Sequence, residues 1–181
     1  MANKSPAHLR AIDVFVLLKL AAQSKKLSQS QIADQLGISV STVNDALQRT
    51  AICGLFNRRR EAVVIRGLTE FLEHGIRYVF PVVRGSLVRG MPTGHAASPL
   101  VEQLTAVTEW PPVWPTATGT ERGYELVPLY PTAPQAAAKD SRFYELLALV
   151  DTLREGRPRE SRVAAEELKQ RLGDYQKTSL G

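Results

Sequence analysis

The chain has 181 residues, 44% hydrophobic and 23% charged, the ordinary range for a globular protein able to build a real core. Its formal net charge of +5 is unevenly placed: residues 1–90 carry 13 Lys/Arg against 6 Asp/Glu, and residues 91–181 carry 10 against 12, which turns the first half toward phosphates. A single cysteine excludes an internal disulfide and a cysteine zinc cage, and the longest apolar run, VFVLLKLAA, falls well short of the ~18 residues a membrane helix needs.

In chain order, Ser5 followed by Pro6 is a helix start, a capping hydroxyl and then a proline whose missing N–H costs nothing. Leu9, Ile12, Phe15, Val16 and Leu20 follow at helical spacing, so the first helix is expected to run to about Ala22. Lys4 and Arg10 precede an apolar stretch as a secretion signal would. Asp13 and Lys19 interrupt its centre, however, and the expectation is a cytoplasmic protein with no membrane attachment. After the polar QSKK, Ser28 and Gln31 form a capping box and open a second helix through Leu36. Gly37 stands where a left-handed C-cap belongs, and Ser39 caps a third helix reaching about Thr50. Cys53, in TAICGLF, reads as a small core residue.

Residues 28–50, SQSQIADQLGISVSTVNDALQRT, place a small residue, Ala33, and a turn glycine, Gly37, where two helices cross tightly. Ile32, Leu36, Ile38, Val43 and Leu47 supply the buried faces. The third helix then keeps Val40, Ser41, Asn44, Asp45 and Gln48 outward, with Ser39, Thr42 and Arg49 at its flanks. Asn and Gln pair bidentately with adenine, Asp accepts from the cytosine amino group, and Ser suits either. This pattern, over about residues 5–65, resembles the helix-turn-helix of bacterial winged-helix transcription regulators, broadly the MarR-like proteins. The resemblance implies a three-helix head whose third helix lies in the major groove. The following ICGLFNRRREAVVIRG has no clear turn dipeptide, so a wing there is expected to be very short or missing. Arg58, Arg59 and Arg60 still offer guanidinium forks to phosphates from that loop.

A fourth amphipathic run sets Val64, Leu68, Phe71, Leu72 and Ile76 on one face and ends before Pro81. Nine of the 11 prolines then fall between residues 81 and 134, which excludes long helices and leaves extended pieces, turns and at most one strand pair around YELVPLY. Helix returns at about Gln135, where Phe143, Leu146, Leu147, Val150 and Leu153 share a face that Gly156 and Pro158 terminate. A weaker, highly charged helix, ESRVAAEELKQRL, follows. The expected fold is mainly α: a helix-turn-helix domain over 1–80, a Pro/Gly-rich irregular segment with little strand over 81–134, and C-terminal helices over 135–181.

The stretch RGSLVRGMPTGHAASPL gathers glycines, Thr93, His95 and Ser98, yet it has neither the GK[ST] nor the GxGxxG spacing of a phosphate loop. No acid can be assigned to orient a Ser–His pair, and His8, His74 and His95 lack metal-ligand spacing. The expectation is a non-enzyme without cofactor or metal. The leading reading is a sequence-specific regulator of transcription that represses as a homodimer on double-stranded DNA. A second reading makes residues 81–181 the surface for a protein partner, as in an antitoxin or an adaptor.

Overall fold

The computed structural model describes residues 8–104 and 110–180, with side chains through Tyr175; Ser5 and Pro6 lie outside them, and the first helix begins later than expected, at Ala11, with His8–Arg10 not helical and Arg10 as its N-cap. The first helix, α1 (Ala11–Ala22), has the sequence AIDVFVLLKLAA. Apolar residues fall on every side of it, and a helix of that kind has no face to give to water. Val14, Phe15, Val16, Leu17 and Leu18 are accordingly all 0% exposed. Phe15 packs between Tyr130 and Phe143, with ring centroids 5.3 and 5.1 Å away. Burying one such side chain stabilises a fold by about 1.5–3 kcal/mol.

The two charges within α1 are buried with it. Asp13 accepts both Nε and Nη2 of Arg49, at 2.9 and 2.6 Å, and the backbone N–H of Arg10 at 2.9 Å. Lys19 donates to Asp140 at 2.6 Å, and Gln23 joins it at 2.9 Å. Asp140 in turn caps the backbone N–H of Phe143.

Helices α2 (Gln29–Leu36) and α3 (Val40–Ile52) pack on α1. The Ser28–Gln31 capping box forms, and Gly37 takes φ 65°, ψ 39°, the left-handed region that glycine enters without penalty. Cys53 is exposed, against the core placement expected of it. The chain turns at Gly54 (φ 75°), and this leaves Ile52 and Cys53 on the solvent side of the last helical turn. The hairpin left open by the sequence is present and very short: β1 (Phe56–Asn57) pairs antiparallel with β2 (Ala62–Val63). Its loop closes with Glu61 at φ 49° and with Asn57 Oδ1 accepting the backbone N–H groups of Arg59 and Arg60. The next amphipathic run divides at Gly75 into α4 (Ile65–His74) and α5 (Ile76–Val79).

The middle of the chain corrects the expectation of an irregular segment with little strand. Three strands, β3 (Arg84–Pro92), β4 (Pro112–Pro115) and β5 (Glu121–Leu126), each pair with the other two, so the sheet closes on itself. Antiparallel β3–β5 register sets Arg89 opposite Arg122; β4 runs antiparallel to β3 and parallel to β5. So tight a ring needs close backbone crossings. A Cβ on Gly90 would strike the Trp114 carbonyl, and one on Gly123 the Pro111 carbonyl. The prolines lie at strand ends (Pro92, Pro112, Pro115), where the missing N–H does least harm.

After α6 (Ala133–Ala137), α7 (Ser141–Glu155) buries the face read from the sequence and stops at left-handed Gly156. Pro158 does not only end that helix; it opens α8 (Pro158–Leu180). One apolar cluster runs from Ile12 in α1 to Tyr175 in α8. Beneath the sheet, Asp151 accepts from Thr93 Oγ1 (2.9 Å), Trp114 Nε1 (2.6 Å) and Arg154 Nη1 (2.6 Å). Arg154 also holds the carbonyls of Phe80 and Val127. No helix among the described residues is long and apolar enough to cross a membrane.

His95, in the 3-10 turn Gly94–Ala96, is 2% exposed, and neither ring nitrogen meets a hydrogen-bond partner among the described residues. Burial lowers its pKa below the ordinary 6.5; Glu155 and Glu160 oppose the shift and Arg84 adds to it. A histidine held neutral in the fold is protonated first in the unfolded chain, so stability is full above pH 6.5 and declines as pH falls below it. The urea midpoint is expected to drop between about pH 7.5 and about pH 5.5, and His95→Gln to flatten that slope. An unchanged slope in the variant would refute the assignment.

Candidate nucleic-acid interface

The second and third helices are built by local chemistry. Ser39 Oγ accepts the backbone N–H of Thr42 at 3.1 Å and shares hydrogen bonds with the hydroxyls of Ser41 and Thr42. This fixes the start of α3. Val43, Ala46, Leu47 and Thr50 turn inward, with the Thr50 hydroxyl returned to the Ala46 carbonyl. Helical spacing then sends Ser41, Asp45 and Gln48 outward, all exposed, beside Val40 at 47% exposure. Asn44 and Thr42 are half-buried at the margins of the same face.

Arg49 stands apart from that set. Its guanidinium is spent on Asp13, a carboxylate with 0% side-chain exposure, and only 18% of the Arg49 side chain reaches solvent. The hydrogen bond to Asp13 raises the Arg49 pKa further, so the group stays a cation. It fixes the roll of α3 on α1.

Arg58, Arg59 and Arg60 are exposed in the hairpin loop and meet no carboxylate among the described residues. The hairpin itself is tied back by Glu61, whose carboxyl the hydrogen bond from Lys26 holds below its ordinary pKa. Lys25 and Lys26, between α1 and α2, also belong to this surface, which the sequence reading does not include. The signal is present in QSKK, a basic pair just ahead of the Ser28 cap. Free N–H groups at a helix start and nearby cations both attract phosphate.

Another connection is not legible in the sequence. Thr132, just before α6, donates its hydroxyl to the Leu36 carbonyl at 2.7 Å, and a Cβ on Gly37 would lie 3.7 Å from the Thr132 methyl. The tight turn between α2 and α3 is therefore held from outside by a residue 96 positions away.

A family model described as a homeodomain-like domain matches residues 9–56, the span from just before α1 to the start of β1. Comparison with curated proteins and with solved structures finds no match. Together with the capped helix pair, the family match makes the N-terminal part of this chain a helix-turn-helix DNA-binding domain.

The position of Arg49 predicts a structural phenotype. Arg49→Ala strands a buried carboxylate, a change that costs about 3–5 kcal/mol. The urea midpoint should fall accordingly, whereas Asp13→Asn with Arg49→Met should recover much of the loss. A midpoint in Arg49→Ala equal to that of the parent would remove the ion pair from the account.

Proposed function

We propose that this chain is a sequence-specific transcriptional regulator of the winged helix-turn-helix type, acting in the cytoplasm as a dimeric repressor. One observation carries the reading: α3 is clamped from behind by Arg49–Asp13 and keeps Ser41, Asp45 and Gln48 open to a groove. A rigid helix with hydrogen-bonding side chains facing out suits base-edge readout. The β1–β2 hairpin directly after α3 supports the winged assignment, and its three arginines, Arg58, Arg59 and Arg60, suit the adjacent phosphate backbone. Two copies on paired half-sites would supply affinity that one helix lacks. The chain acts by binding and not by catalysis; His95, the base a Ser–His pair would need, is buried, and neither of its ring nitrogens meets a hydrogen-bond partner among the described residues.

A protein partner for the region after residue 80 is favoured by a separate feature. Tyr78 (74% exposed), Val83 (82%) and Val127 (55%) leave large apolar side chains in solvent, and Arg154 draws the Phe80 and Val127 backbones together among them. That surface serves the dimer or an antitoxin-like or adaptor contact.

Gel-shift titration on the chain's own promoter against random duplex tests the main reading. Asn44→Ala with Gln48→Ala should cost about 1–3 kcal/mol per good bidentate pairing and relax base preference. Arg58→Ala with Arg59→Ala should weaken all duplexes alike and flatten the plot of log affinity against log salt, by about 0.9 for each phosphate no longer neutralised. Equal binding of promoter and random duplex by the parent protein would sink the regulator.

A further inference from the structure

One face of the closed sheet ends in a pair of like charges. Strand alternation and the β3–β5 register put Arg84, Leu87 and Arg89 on the same face, with Leu126, Tyr124 and Arg122 opposite them in that order. Near Glu155, which accepts from the Tyr124 hydroxyl at 3.4 Å, this face is covered, and Tyr124 and Leu126 are buried. At its other end it opens: Leu87 is 43% exposed, and Arg89 and Arg122 are both exposed. Like charges directly opposite across a strand pair repel and destabilise it. The acids of β5, Glu121 and Glu125, alternate to the other face. Neither Arg89 nor Arg122 meets a carboxylate among the described residues.

The flat groups on this face narrow the class of anion. The Arg122 guanidinium lies over the Trp110 ring at 5.6 Å, and that of Arg84 over the Tyr124 ring at 3.9 Å. Arg84 also donates to Glu155, so its charge is answered within the fold, unlike those of Arg89 and Arg122. A guanidinium held against a ring keeps its plane fixed and has a second face to offer a nucleobase. A duplex backbone or an acidic peptide would use the charges alone and leave that plane and Leu87 idle. An unpaired strand brings phosphates and uncovered bases together, and so uses both.

We propose that this end of the three-stranded ring is a second nucleic-acid site, one that takes a single strand. Backbone phosphates meet Arg89 and Arg122 and relieve their repulsion, while a base lies on the Arg122 plane and against Leu87. The contact is sequence-tolerant, because every base has a π face. It does not rest on the helix-turn-helix reading: none of its residues belongs to α3 or to the β1–β2 hairpin.

The test uses the full chain and fluorescein-labelled oligo-dT and oligo-U, each of about 16 nucleotides, the upper site size of one small barrel, read by anisotropy. Saturable binding of at least one is expected, and the tighter identifies the strand as DNA or RNA. Arg89→Gln with Arg122→Gln should weaken it about tenfold. The same variant should flatten the plot of log affinity against log salt by about 1.4, two phosphates at about 0.7 each. Should the pair fail to fold by circular dichroism, Arg89→Gln alone is read the same way. No saturable binding by the parent chain, or undiminished binding by the folded variant, overturns the site. Displacement of the labelled strand by random duplex or by poly-glutamate as readily as by the unlabelled strand also overturns it, in favour of a contact that reads charge alone. The variant should keep the parent's preference for promoter over random duplex, and its loss would overturn the separation of the two sites. A parent chain without that preference sinks the regulator, while the anisotropy arm still decides the single-strand site.

Discussion

Two buried ion pairs on one helix organise this molecule. Helix α1 is apolar on every side, and its two charges are directed at distant parts of the chain: Asp13 at Arg49 on α3 and Lys19 at Asp140 before α7. Buried pairs of this kind do not by themselves make a protein more stable than well-packed apolar residues would. They are unforgiving about geometry, however, because a misplaced neighbour leaves a charge in an apolar interior. An apolar helix alone could settle against its partners at several rotations; two directed pairs at opposite ends admit one. The roll of α3, and so the set of side chains it offers outward, follows from that choice.

The same economy recurs beneath the sheet. Asp151 is fully surrounded and accepts from Thr93 just after β3, from Trp114 on β4 and from Arg154 on its own helix, and Arg154 spans from it to two loop carbonyls. These bonds satisfy the buried Thr93 hydroxyl and Trp114 indole N–H together with the carbonyls of Phe80 and Val127. Proline and glycine in the ring are therefore construction residues: prolines end strands, and Gly90 and Gly123 permit crossings that any side chain would block.

Much of the reading head can be anticipated because its signals are local. The Ser28–Gln31 box, the left-handed Gly37 and the Ser39 cap each depend on residues within four positions, and so does the Gly156 stop. Helical spacing anticipates the outward placement of Ser41, Asp45 and Gln48 on α3. What the sequence hides is non-local. Asp13 and Lys19 look like interruptions of an apolar helix because their partners lie 36 and 121 positions away. The strands of the middle segment are hidden for a similar reason: β3 pairs with β5 across more than 30 residues, and the residues that make this closure feasible are those that normally announce loops. Arg49 groups with the solvent-facing residues by spacing, since nothing in its neighbourhood reveals the carboxylate behind it.

The hydroxyl of Thr132 resting on the Leu36 carbonyl means that the bend between α2 and α3 is shared property of the chain's two ends. Stripped of everything after the hairpin, α1 would also expose the side on which Phe15 now meets Tyr130 and Phe143. In many proteins a head of this type is an exchangeable cassette, carried from one architecture to another as a finished part. Here it is a corner of a single edifice, tied to the later elements through Phe15 and the Leu36 carbonyl.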